Sequence, residues 1–177
     1  MKSVIGAGVV ACALTAAASA QESLVVDVSG IESFNTLGSV ENTVLTFELL
    51  PNATVVGLEW DVVLQANGGS WLSELTIAFG STAEDFVFFA PSGTNSPGGN
   101  LPEANSGSAN LVDLGLAFDV AGDGILRMEF FESFYDTGVV PNGVWVSGTI
   151  TVQYVPAPAG LALLGAAGLA GSRRRRG

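Results

Sequence analysis

The 177-residue sequence has no histidine, one cysteine (Cys12) and one lysine (Lys2). A Ser-His-Asp triad and a His-Glu-x-x-His zinc site are therefore impossible. Without lysine beyond position 2, Schiff-base catalysis and a phosphate-gripping P-loop are excluded as well. Cys12 lies in an apolar N-terminal run, so the remainder of the chain has no thiol, no disulfide and no Cys-ligated metal. Positive charge is almost as scarce. Between Gln21 and Val155, seventeen Asp and Glu face a single basic residue, Arg127, giving a formal charge of −16. Such a domain repels phosphate, which excludes nucleic acid and anionic headgroups as partners. Excess acid of this kind serves solubility and colloidal spacing, with divalent-cation binding as the functional alternative. Helical periodicity is missing too, since no segment of the domain carries a convincing 3.6-residue apolar repeat.

What is present is alternation. Val56, Leu58, Trp60, Val62 and Leu64 recur at every second position, as do Leu75, Ile77 and Phe79. Leu114, Leu116 and Phe118 repeat the pattern, then Leu126, Met128 and Phe130, then Ile150, Val152 and Tyr154 in a strand from Val144 to Tyr154. Period two marks half-buried strands. Weaker strands are expected at Leu24–Val28, Thr43–Leu49 and Phe86–Ala90, and Gly148 suggests a bulge. Asp123-Gly124, between two strong patterns, reads as a tight hairpin. Pro91–Asn110 is rich in Gly, Ser, Asn and Pro and is expected to be a disordered loop. About eight short strands without alternating helices predict an all-β domain over residues 21–154, a single antiparallel two-sheet β-sandwich of jelly-roll-like form. Gly69-Ser70-Trp71-Leu72-Ser73-Glu74-Leu75-Thr76-Ile77, with Ala90-Pro91-Ser92-Gly93-Thr94, is similar over those few residues to the jelly-roll P domain accompanying some secreted proteases. That likeness supports a sandwich and implies no shared function.

Two kinds of site chemistry survive these exclusions. Glycoside hydrolysis needs two carboxyl groups across a cleft, one with its proton affinity raised by burial. Glu59, Asp61, Glu129 and Glu132 qualify by residue type, but alternation puts Glu59, Asp61 and Glu129 on exposed faces, so no catalytic residue is assigned and the domain is read as non-enzymatic. Calcium takes oxygen ligands from flexible loops. Asp119 and Asp123 flank one turn, and Glu129, Glu132 and Asp136 follow around the next strand end, without the spacing of an EF-hand. Calcium is thus the one cofactor kept open. Trp71, Trp145 and Tyr135 are candidates for a sugar-stacking platform, with core packing the commoner use. Arg127 is expected to pair with a carboxylate on its own sheet face.

The two ends carry addresses. Lys2, an apolar run from Val4 to Ala18 and the small residues Ala18-Ser19-Ala20 form a secretory leader over residues 1–20, expected as a signal helix cut between Ala20 and Gln21 by signal peptidase. At the other end stand Val155-Pro156-Ala157-Pro158, thirteen apolar or small residues from Ala159 to Gly171, then Ser172 and Arg173, Arg174, Arg175 and Arg176. The thirteen residues would span about 20 Å as a helix, short of a ~30 Å hydrocarbon core, which suits a temporary membrane helix. A basic cluster stays on the cytoplasmic side.

Residues 155–177 resemble the PEP-CTERM sorting signal of bacterial envelope proteins, with Ala157 where that family has Glu. The resemblance implies processing near the Pro-x-Pro element by exosortase, a membrane protease-transpeptidase, and a transient stay at the inner membrane. The sequence therefore predicts an exported cell-envelope or extracellular-matrix protein, tethered as a precursor and then at the cell surface or outside it. Extracellular polysaccharide is a further candidate partner, and a carbohydrate- or calcium-binding module is the alternative role.

Overall fold

Alternating apolar residues bury one face of each strand, and here they close two sheets over one core. The computed structural model describes residues 20–92, 101–136 and 138–157. Ten strands run in order: β1 Glu22–Asp27, β2 Ile31–Ser33, β3 Thr43–Glu48, β4 Thr54–Ala66, β5 Leu75–Gly80, β6 Phe86–Phe89, β7 Glu103–Asn110, β8 Phe118–Asp119, β9 Ile125–Glu132 and β10 Gly143–Val155. One sheet has the order β1-β10-β4-β7, with β2 also on β10 and β8 also on β4; the other has the order β3-β9-β5-β6. Every pairing is antiparallel. Apart from the short β2 and β8, strand order alternates between early and late chain segments, which is a jelly-roll path. The expected signal and membrane helices fall on residues 1–19 and 158–177, outside the described residues.

The inner faces carry Leu58, Val62 and Leu64 from β4, Leu75, Ile77 and Phe79 from β5, Leu126, Met128 and Phe130 from β9, and Trp145, Ile150 and Val152 from β10, all buried. β5 is buried on both faces. Its outward Ala78 and Gly80 are small, and they pair with Phe88 and Phe86 of β6. A Cβ on Gly80 would meet the Phe86 ring at 2.5 Å.

β10 changes parity along its length. Trp145 points inward at an odd position and Ile150 at an even one, because the ladder with β4 slips by one residue between Trp145 and Ser147. The extra residue is Val146, so the bulge lies two residues before the glycine that suggested it. Gly148 has φ +119° and a side chain there would run into the Asp61 carbonyl, so this position accepts only glycine without distortion.

Three segments depart from the sequence reading. Residues 103–110, expected to lie in a disordered loop, form β7 along β4. Its side chains are small and polar because it is a sheet edge held by backbone pairing; Gly107 is required because a Cβ would meet the Trp60 ring at 2.5 Å. Residues 93–100 of the same predicted loop lie outside the described residues. The expected strand at 113–119 is reduced to β8, since Leu114 and Leu116 sit exposed in a turn. The side chain of Asn110 caps that turn by accepting the N–H groups of Val112 and Asp113. Asp123-Gly124 makes a tight turn but not a hairpin, because β8 belongs to the first sheet and β9 to the second.

Candidate functional site

Antiparallel pairing sets Glu22 opposite Tyr154, so both ends of the domain emerge side by side. The Tyr154 hydroxyl donates to Glu22 Oε2 at 2.8 Å across this junction. Ala20 and Gln21 of the expected leader cleavage site are exposed there, and Val155 closes β10 just before Pro156 and Ala157. Ala18, Pro158 and Arg173–Arg176 lie outside the described residues. Strand β10 has 13 residues. At ~3.3 Å per residue its Gly143 end stands about 40 Å from this junction.

The acidic residues grouped by sequence do not form one site. Asp119 Oδ1 accepts the Thr54 hydroxyl at 2.5 Å, and Asp123 accepts the Thr82 hydroxyl at 2.6 Å and the Ile125 N–H at 3.0 Å. Those hydrogen bonds, the hydroxyl first, hold the Asp123 carboxyl below its ordinary value. Both precede β9, whereas Glu132 ends it, so a five-residue calcium shell is ruled out by the length of the strand. Glu129 and Glu132 point to opposite sides of their sheet. Among the described residues no three Asp, Glu, His or Cys side chains form a metal-holding group.

Glu59 and Asp61 do lie on an open face, in a shallow trough of about 440 Å³ lined also by Ser106, Ser108, Thr149 and Thr151. Glu59 accepts the Gln153 amide at 2.6 Å, and neither carboxylate is desolvated as a general acid must be. The stacking platform fails at Trp145, which is fully buried and packs edge-on to Phe130 at 5.4 Å. Trp71 is 39% exposed beside the short turn Leu72–Glu74, and Tyr135 is half-buried. An aromatic surface does exist elsewhere: Phe88, 57% exposed, meets Phe131 edge-on at 5.8 Å beside Leu37 and Ala90. Nothing in the sequence pattern separates Phe88 from a core residue.

Glu129 corrects a further expectation. Alternation does aim it outward, but the segment 34–42 folds over it and leaves it 1% exposed. The Gly38 N–H at 2.6 Å and the Asn42 amide at 2.9 Å donate to Oε1, and Arg127 Nη2 donates to Oε2 at 2.6 Å. Burial alone would raise its proton affinity; the donors Asn42, Gly38 and Arg127 together outweigh burial and hold the carboxyl below its ordinary value. Arg127 thus pairs on its own face as expected, and its guanidinium also lies 5.2 Å from the Phe86 ring centroid.

The end of the sandwich remote from the Glu22–Tyr154 junction is different. Here Ser33, Asn67–Glu74, Glu132, Asp136 and Asn142 converge. The N–H of Asn142 donates to Ser33 O, that of Asn67 to Asn142 O, that of Glu132 to Asn35 O and that of Ser133 to Glu74 O, all at 2.8–2.9 Å. The backbone is satisfied, yet buried side-chain oxygens are not: Ser33 Oγ, Glu132 Oε1, Asp136 Oδ2 and Asn142 Oδ1 have no hydrogen-bond partner. Each such group costs on the order of 1–3 kcal/mol if left unsatisfied. Glu132 is fully buried. Its Oε2 lies 3.4 Å from Ser70 Oγ, which donates to Glu74 Oε2 at 3.0 Å. Burial pushes Glu132 up to about 8, reinforced by the charges of Glu74 and Asp136 and opposed by the hydroxyls of Ser33 and Ser70. Composition offered Glu132 and Asp136; Ser33 and Asn142, remote in sequence, had no signal.

No family model matches the chain, and no curated protein matches it. Among solved structures it is similar to infectious bursal disease virus Gx strain, at 10% identity, TM-score 0.38, over 81% of this chain and 34% of that one. It is similar to the infectious bursal disease virus VP2 subviral particle at 8% identity and TM-score 0.37, over 80% and 34%. A family two carbohydrate esterase from Cellvibrio japonicus aligns at 15% identity and TM-score 0.25, over 78% and 36%. The chain spans about a third of the length of each, and likenesses of this size name no ligand or reaction for it.

Proposed function

We propose that this chain is an exported envelope or extracellular-matrix protein whose acidic, non-catalytic sandwich is delivered by its two terminal signals. The leader directs export, and signal peptidase cuts after Ala20. The PEP-CTERM-like tail, residues 155–177, then holds the domain at the outer face of the inner membrane until an exosortase-like enzyme processes it near Pro156-Ala157-Pro158. The observation that supports the reading best is the shared exit of the two termini, with Glu22 paired to Tyr154. Both processing sites then adjoin one end of the domain, and the remainder faces outward. The paired prolines fit the same role, since they lack N–H donors and keep the junction extended for a protease.

The test is replacement of Arg173, Arg174, Arg175 and Arg176 by glutamine in the native host. Loss of the cationic stop is expected to leave unprocessed precursor or to release full-length protein, read by mass spectrometry of both termini in membrane and extracellular fractions. Processing and localisation identical to the unaltered chain would overturn the proposal.

A further inference from the structure

We propose that the end of the sandwich remote from the Glu22–Tyr154 junction binds one calcium-class divalent cation, held by Glu132, Asp136 and Asn142 with Ser33 completing the oxygen set. Three observations converge. First, Glu132 Oε1, Asp136 Oδ2 and Asn142 Oδ1 are buried oxygens that no donor reaches within hydrogen-bond distance, the Ser33 hydroxyl lies beside them without a hydrogen bond of its own, and Glu132 and Asn142 are fully enclosed. The Asn142 amide nitrogen donates to Asp136 O at 3.3 Å, which fixes the side chain with its oxygen as the free atom. The indole N–H of Trp145 is also unpaired, but it is a donor and stands outside the set.

Second, the chain supplies no cation here. Arg127 is the sole basic residue among the described ones, and its bond to Glu129 lies on the other side of the sheet. No basic side chain therefore offsets Glu132 and Asp136 at this end. Third, the backbone closes tightly on the carboxylate: a Cβ on Gly143 would sit 2.6 Å from the Leu75 side chain and 2.9 Å from Glu132 Oε1, so only glycine leaves that oxygen unobstructed.

The donor chemistry selects the ion. An all-oxygen set from loops and strand ends, without imidazole or thiolate, suits calcium and not zinc or copper. Since three carboxylates do not converge, two of them balance a divalent charge and neutral oxygens complete the shell, an arrangement calcium tolerates better than magnesium. This inference is independent of the sorting proposal, because it concerns the Gly143 end of β10, about 40 Å along the strand from the Glu22–Tyr154 junction.

The experiment uses the full chain stripped with a chelator, followed by calorimetric titration with calcium chloride and by thermal melting. One site is expected, with a melting temperature raised by roughly 5–10 °C at a hundredfold excess over Kd and returned by chelator. Glu132→Gln and Asp136→Asn are expected to fold and to lose the shift, while Asp61→Asn on the open face keeps it. No calcium response in the unaltered chain would overturn the site and assign its free oxygens to internal water. An equal response in Glu132→Gln would likewise overturn it, in favour of diffuse binding to the acidic surface.

Discussion

Glu129→Ala is expected to destabilise the domain by about 3–5 kcal/mol, the usual cost of breaking a buried ion pair from one side. The side chain is a hub and not a surface acid: it takes the Gly38 N–H, the Asn42 amide and the Arg127 guanidinium, and is 1% exposed. Truncation leaves three donors without their acceptor, one of them charged. It also frees the segment 34–42, since Asn42 in turn donates to Thr36 O and accepts the Asn35 N–H. The melting temperature should fall by roughly 10–20 °C. Glu129→Gln keeps the shape and one acceptor but turns an amide N–H₂ toward Arg127, so an intermediate loss is expected. The pH dependence has a definite sign. The folded carboxyl sits below its ordinary 4.5, so its contribution is present above that value and lost as pH falls through the depressed one. An unchanged melting temperature in Glu129→Ala would reduce this cluster to a solvated surface pair.

The sheet architecture was legible where large apolar residues line only the core-facing side of a strand. Leu58 to Leu64, Leu75 to Phe79 and Leu126 to Phe130 alternate because each strand has one face in the core, and those strands appear as read. β7 was not legible, because an edge strand is held by hydrogen bonds to β4 and needs no apolar side chains; Gly107 and Ala109 are there to clear Trp60 and the core. Leu114 and Leu116 misled for the opposite reason: two exposed leucines in a turn imitate a strand's period. Alternation also reports only the side of a sheet, not what covers it, which is how an outward Glu129 proved buried. The polar end was half legible. Glu132 and Asp136 are neighbours in sequence, but Ser33 and Asn142 join them only because β2 and β10 pair at Ser33 and Gly143.

Glu132→Gln, in chelated protein, is expected to be the rare charge-removing substitution that stabilises, and to do so increasingly as pH rises from about 4.5 to about 8. The charged groups that act on Glu132 are Glu74, at the end of the short turn before β5, and Asp136, in the loop after β9; both are negative. The folded carboxyl therefore holds its proton to about 8, while an unfolded one releases it near 4.5. Between those values the native state carries more protons than the unfolded state, so stability falls as pH rises, and above about 8 the loss is complete. At ~1.4 kcal/mol per pH unit, the full loss is about 5 kcal/mol. Glutamine cannot ionise, and its amide can donate to an otherwise unpaired acceptor such as Ser33 Oγ or Asn142 Oδ1. Unfolding free energies from urea titration should agree to within ~1 kcal/mol at pH 5 and diverge as pH rises to about 8, above which the variant stays higher by about 3–5 kcal/mol. Parallel profiles across that range would mean that Glu132 ionises freely in the folded chain, and that the enclosure around Ser33, Ser70 and Asn142 admits solvent.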